Sequence, residues 1–354
     1  MKQLKNKKIV IAIIVLAIIV FVVSSIYLFF TSPVDKSDTK DIKVTIESGT
    51  SSDEISRILK EKRLIKSRTL FLVKIKMNNS KSLKAATYNF NRSMSLNEIV
   101  HSLKNATNLD TGEIKITFKE GTRITDFAKV IAKDTHISYD EVIAKMKDKN
   151  YIKTLINKYW FLTDEILNNN IYYPLEGYLA PDTYHIDKDT DLETIIDTLL
   201  KQEDKVLTEH KSKLGNKVHK YITLASMVEL EGTNLENRKM IAGIFNNRLN
   251  LNMNLGSDVT TYYAFQKPMT ESLDSSLYNT SNPYNTRAQD MRGKLPVGPI
   301  CNPSKESLEA AIYPTDSDYY YFVADKHKKI HYTKTGVEHN KKIAELKEKG
   351  DWLW

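Results

Sequence analysis

Cysteine is almost missing from this chain: Cys301 is the single one in 354 residues. No disulfide framework can therefore hold the fold together. The same count excludes cysteine-based metal sites, and no phosphate-binding loop motif is present. The eight histidines are scattered. His327 and His331 fall in a segment of alternating polarity that reads as a strand, which suits surface residues better than a helical ligand pair. Neither a metal nor a cofactor is expected. With 41% apolar and 9% aromatic residues the chain can bury a sizeable core, which excludes wholesale disorder. Its length predicts two or three domains.

Acidic residues are the scarcer sign, 44 against 52 Lys+Arg, and the formal charge of +8 invites a polyanion partner. Its placement argues otherwise. Four of those surplus charges, Lys2, Lys5, Lys7 and Lys8, precede the first apolar run. They form a basic head over residues 1–8, suited to inner-leaflet lipids rather than nucleic acid. From Ile9 to Phe30 come 22 residues without a charge, a glycine or a proline. At 1.5 Å per residue such a run crosses a bilayer core, which takes roughly 20 apolar residues. A cleavable signal peptide would have a shorter apolar region and a small-x-small site, and neither is found. The run reads as a retained signal anchor over 9–30. Lysines before it and Asp35 after it place Met1 in the cytoplasm and the remainder outside. With one cysteine in an exported chain, a bacterial cell surface fits better than a eukaryotic secretory route.

Residues 31–41 are polar, contain Pro33 and show no periodicity, so they read as a linker. Ile42–Ile46 alternates as a half-buried strand does. Gly49 and Thr50 supply a turn, and Ile55, Ile58 and Leu59 follow at helical spacing. The phrase recurs 72 residues later. Lys115–Phe118 matches the strand, Gly121-Thr122 the turn, and Phe127, Val130 and Ile131 the helix. Two copies are too few for a solenoid and predict two small α+β modules. The first continues through a helix at 69–77, a strand at 85–90 and a helix from Leu96. That order of elements, over 42–104, resembles LysM-type glycan-binding modules, and a structural spacer fits it as well. Residues 105–112 are the expected boundary.

From Gly121 to Leu214 helical patterns dominate, interrupted by Tyr172–Tyr184, where Gly177 and Pro181 forbid a continuous helix. Its tyrosines suit either a sugar groove or a core loop whose hydroxyls find backbone partners. Tyr221–Glu231 reads as an apolar helix ending in two carboxylates, followed by Gly232 as a C′ residue. Glu229 and Glu231 both have apolar neighbours three and four residues back, so periodicity does not choose between them. The helix terminus favours a raised pKa for the carboxyl nearer the end, as a general acid needs. Pairing with Arg238 or Lys239 is the structural alternative. Residues 254–304 are dense in Gly, Pro and Asn and read as a long, turned insertion, ordered by Tyr262, Tyr263 and Tyr284.

Seven short motifs in this order resemble those of the YceG-like family of endolytic murein transglycosylases. They are Leu175–Tyr184, Ala225–Glu231, Phe245–Leu249, Ser257-Asp258, Tyr284–Thr286, Leu295–Ile300 and Tyr321–Ala324. The resemblance implies an α+β protein with a membrane helix, a LysM-like module and a larger α+β catalytic domain over 113–350. It implies that Glu231, the second glutamate of the Glu-x-Glu pair, is the catalytic acid/base. Substrate contacts are expected from Glu229, Asp258, Asn285, Tyr178, Asp182 and Tyr262. The implied reaction is non-hydrolytic cleavage of the bond between N-acetylmuramic acid and N-acetylglucosamine, giving 1,6-anhydro ends. The implied partners are peptidoglycan glycan strands, peptidoglycan synthases and other elongation or division proteins, at a bacterial plasma membrane. Four positions depart from the family pattern. Arg287 replaces an aromatic, Val259 and Val297 replace prolines, and Lys294 replaces a glycine.

Overall fold

The computed structural model describes residues 2–77 and 83–352, and the chain divides into two compact units, Met1–Gly112 and Glu113–Trp354. Met1 and the side chains of residues 2–12, which carry the expected basic head, lie outside the described residues. The described residues mix helices with three antiparallel two-stranded sheets.

The first unit opens with helix α1 (Lys2–Thr31). Its stretch Ile13–Thr31 is long and apolar enough to cross a membrane, and its side chains from Ile13 to Phe29 are exposed. There follow β1 (Ile42–Ile46), α2 (Ser52–Glu61), α3 (Arg68–Met77), β2 (Ala86–Phe90) and α4 (Leu96–Asn105). Capping residues set the helix starts. The Ser51 side chain accepts from the Glu54 amide, and Ser95 and Glu98 form a reciprocal capping box. The two strands and three helices close over Val44, Leu59, Phe71, Tyr88, Phe90 and Ile99.

The segment expected as a free linker is docked on this unit instead. The Asp35 amide donates to the Arg92 carbonyl and the Ser93 amide to the Asp38 carbonyl, both at 3.0 Å, and the Arg92 guanidinium pairs with the Asp38 carboxylate at 2.8 Å. A polar composition had concealed one acid placed to meet an arginine and two main-chain bonds beside it.

The second unit begins with the repeated phrase. β3 (Glu113–Thr117), α5 (Ile124–Asp134) and α6 (Tyr139–Lys147) follow the order of β1, α2 and α3. After an added helix α7 (Lys149–Lys158) and a long connection come β4 (Thr183–Asp187) and α8 (Leu192–Thr208), in the places of β2 and α4. The duplication reaches individual bonds. Thr45 faces Thr87 across one sheet and Thr117 faces Thr183 across the other, each hydroxyl pair at 3.0 Å. The Thr50 and Thr122 hydroxyls donate to the carbonyls three residues back. The Tyr88 and Tyr184 hydroxyls both donate to the carbonyl four residues back. Leu96, Ile99, Val100 and Leu103 are buried, and so are Leu192, Ile195, Ile196 and Leu199, each 96 residues further on.

The copies differ at the turn. A Cβ on Gly49 would meet nothing within 4 Å, whereas one on Gly121 would touch Glu229 and Leu230. In the second unit the turn is covered by α10 (Val218–Glu231) and by Asn302, whose main chain exchanges two hydrogen bonds with Gly121 and Thr122. The Asn302 carboxamide oxygen accepts from the Gly177 and Leu179 amides at 2.9 and 3.1 Å. Its nitrogen donates to the Thr122 carbonyl and the Glu176 carboxyl. The fully buried Glu176 also accepts from the Ile124 amide and the Tyr263 hydroxyl, and burial pushes its pKa up to about 8.

The remaining elements are α9 (Lys211–Leu214), α11 (Leu235–Asn250), α12 (Asp258–Ala264), α13 (Lys305–Ile312), β5 (Tyr321–Ala324), β6 (Ile330–Thr333) and α14 (Gly336–Glu348). Helix α10 is the centre: Ile222 to Val228 are buried without a break, and α13 and α11 pack against it. His331, on β6, bonds Asp325 at 2.9 Å.

Candidate active site

Helix α10 ends at Glu231 because Gly232 leaves the helix with extended backbone, φ −97°. The expected left-handed cap is therefore not formed. Glycine is required for a different reason: a Cβ here would lie 2.5 Å from Arg238 Cγ. Arg238 crosses closely at this point because its guanidinium reaches Glu229 at 3.0 Å, with side chains 12% and 7% exposed. The other Glu229 oxygen accepts from the amide and hydroxyl of Ser304. Both oxygens of Glu229 are thus held inside the fold.

Two residues on, roughly 200° around the helix, Glu231 points elsewhere. Its carboxyl is half-buried and, among the described residues, takes one hydrogen bond, from the Ser257 hydroxyl at 2.6 Å. Burial raises its pKa above the usual carboxylate range. The Ser257 bond opposes this, the Asp258 charge adds to it, and the Arg248 and Arg287 charges oppose it. An acid at a partly open position that holds its proton longer than an ordinary glutamate suits general-acid work.

Ser257 owes its place to the insertion. It sits at the N-cap of α12, yet its side chain makes no capping bond and serves Glu231 instead. Its amide donates to Thr286 Oγ1 at 3.1 Å, Thr286 contacts the Thr260 hydroxyl at 2.8 Å, and the Gly256 amide donates to the Thr286 carbonyl. Asn285 fixes this loop. It is fully buried, accepts from Thr261, and donates to the carbonyls of Leu277, Tyr278 and Thr280. Arg287 emerges beside it to pair with Asp258, and its guanidinium stacks 4.6 Å over the Tyr278 ring. Arg248 comes from α11 and donates to the carbonyls of Leu255 and Tyr320.

The structure brings Glu231 and Asp258 together, with Tyr262 one turn further along the α12 face that carries Asp258. Tyr262 is half-buried and donates to the Glu271 carbonyl. Glu229 and Asn285 are internal supports. So is Tyr178, fully buried with its hydroxyl 2.8 Å from His219 Nδ1, while His219 Nε2 meets the Val297 carbonyl. Asp182 is exposed and lines a separate cavity with Glu203 and Ser304. The tyrosines of 172–184 stack inward: Tyr172 lies 4.9 Å from Tyr284, and Tyr184 packs on Phe118. Sequence reasoning missed Ser257, Thr286, Arg248 and Arg287 as parts of the site. Their signal was present only as short motifs with no hydrophobic period to place them.

This α10–α12 constellation, on a fold containing a duplicated strand–helix module, belongs to a defined class. The chain is a member of the YceG-like family, whose model matches residues 44–345. An endolytic murein transglycosylase of Bacillus subtilis (strain 168) is 38% identical over 315 residues, covering 87% of this chain and 86% of that protein. One from Streptococcus pneumoniae serotype 2 (strain D39) is 32% identical over 332 residues, and this chain spans 60% of its length. The crystal structure of a yceG-like protein from Listeria monocytogenes superposes with a TM-score of 0.61 at 34% identity, covering 85% of this chain and 99% of that one.

Proposed function

We propose that this chain is a membrane-anchored, endolytic lytic transglycosylase of peptidoglycan in which Glu231 is the acid and then the base. The observation that carries this reading is the Glu231 carboxyl, half-buried, proton-retaining and bonded to Ser257 alone among the described residues. Glu231 donates its proton to the glycosidic oxygen leaving C1 of the muramyl residue, and the C1–O4 bond breaks. The resulting carboxylate removes the proton from the muramyl C6 hydroxyl, whose oxygen bonds to C1. Proton and bond counts balance without water, so one carboxyl suffices where a hydrolase needs two. Asp258 and Tyr262 flank the acid and are the proposed substrate contacts, with Asp258 also favouring its protonated form.

The first unit is proposed as a LysM-like glycan-binding module, on the strength of its strand–helix–helix–strand order. The apolar stretch of α1 and the lysines that precede it support a single-pass anchor with the N-terminus in the cytoplasm; on this reading the active unit lies outside, where nascent glycan and peptidoglycan synthases are met. Cleavage there would terminate or trim new strands.

Mass spectrometry of products from isolated sacculi tests the reaction. Wild type should release anhydro ends, one water lighter than hydrolytic ends, and Glu231→Gln should release none while melting at the wild-type temperature. Glu229→Gln should lower stability by roughly 3 kcal/mol, the loss expected when one partner of a buried pair is removed. Anhydro product at the wild-type rate from Glu231→Gln would sink the assignment.

A further inference from the structure

Within the first unit, the outer end of α1 is clamped by lysines of the module. Lys66 Nζ lies 4.5 Å over the Phe29 ring and donates to the Phe29 carbonyl at 3.2 Å and to Ser32 Oγ at 2.8 Å. Lys74 Nζ donates to the Tyr27 hydroxyl at 3.3 Å. Thr31 is only 6% exposed, α4 packs on α1, and residues 35–38 are bonded to Arg92 and Ser93. The module is therefore seated at the end of the helix, without a free tether between them.

That seat fixes a level. The 22-residue uncharged run from Ile9 to Phe30 rises about 33 Å, enough to cross the ~30 Å of a hydrocarbon core, so Tyr27 to Ser32 fall at its outer edge. Helix α3 carries Lys74 to that edge. Its inward face buries Phe71 and Ile75, while Thr69, Val73, Lys76 and Met77 form an exposed stripe, with Val73 45% and Met77 81% exposed. Large apolar side chains flanked by lysines, at the height of a membrane interface, are the composition of a helix that lies in headgroups.

We propose that α3 is a membrane-contact surface, its Val73–Met77 stripe set into the outer leaflet and Lys74 and Lys76 facing anionic phosphates. This rests on the reading of α1 as an anchor. The occupant is lipid rather than protein because Lys74 ties α3 to Tyr27 at the outer edge of the span, and the stripe's lysines are complementary to phosphatidylglycerol.

The test uses the full chain in nanodiscs of phosphatidylglycerol or phosphatidylcholine, spin-labelled at a single cysteine in a Cys301→Ser background. Collision rates with a water-soluble nickel chelate are then read. A label at Ile19 should be fully shielded, reporting the anchor. A label at Met77 should collide several-fold less than one at the equally exposed Val337, and less in phosphatidylglycerol than in phosphatidylcholine. Lys74→Glu with Lys76→Glu should restore collisions at Met77 and leave Ile19 shielded. A shielded Ile19 with Met77 as accessible as Val337 overturns the surface and spares the anchor. An accessible Ile19 overturns both.

Discussion

Ser257 forgoes the capping bond that its position offers and donates to Glu231 instead, so its loss should be felt first in the pH profile. The sign follows from the bond: it favours the carboxylate, and without it the proton is held more tightly. Ser257→Ala should move the alkaline limb of activity to higher pH. Asp258→Asn should move it lower, because the neighbouring negative charge that favours the proton is gone. Steady-state rates across the neutral range in both variants check this. A common shift in the same direction would refute the account. Residue-level reasoning from sequence reached Glu231 through the helix terminus and the family pattern, but it left Glu229 as an equal on periodicity. What separates them is a guanidinium nine residues on, brought across by a glycine whose Cβ would collide with it. No periodic signal contains that information.

Among the elements, the repeat was legible in strand, turn and helix because the hydrophobic spacing repeats at 72 residues. Its second half was hidden, since α7 and the connection to β4 shift the offset to 96. The Tyr172–Tyr184 stretch was ambiguous for another reason. Burial of an aromatic is decided by what covers it, and here the cover comes from Tyr263, Tyr284 and Asn302, some 80 to 130 residues distant. Through one carboxamide Asn302 ties its own loop to two others, at Thr122 and at 176–179. Asn302→Ala strips four hydrogen bonds from buried partners, each worth roughly 1 kcal/mol. It should cost several kcal/mol in urea unfolding. An unchanged midpoint would show that water replaces the carboxamide.

At the scale of the whole molecule, the described residues hold two hydrophobic clusters, one in each unit. Calorimetry of the full chain should show two transitions. Ile99→Val, costing about 1 kcal/mol in the small cluster, should lower one of them by roughly 4–8 °C and leave the other in place. A single transition moved as a whole would mean that the units unfold together. The apolar stretch of α1 was readable because its composition stands apart, whereas the docking of residues 31–41 depends on a few polar bonds that any linker could contain. Any long-lived protein also has to survive chemical ageing, and asparagine is its usual weak point. The side chain cyclises onto the next amide nitrogen and loses ammonia. Asn302 is followed by Pro303, whose nitrogen bears no hydrogen. The carboxamide that joins three loops is thereby protected from the reaction that would turn it into a buried charge.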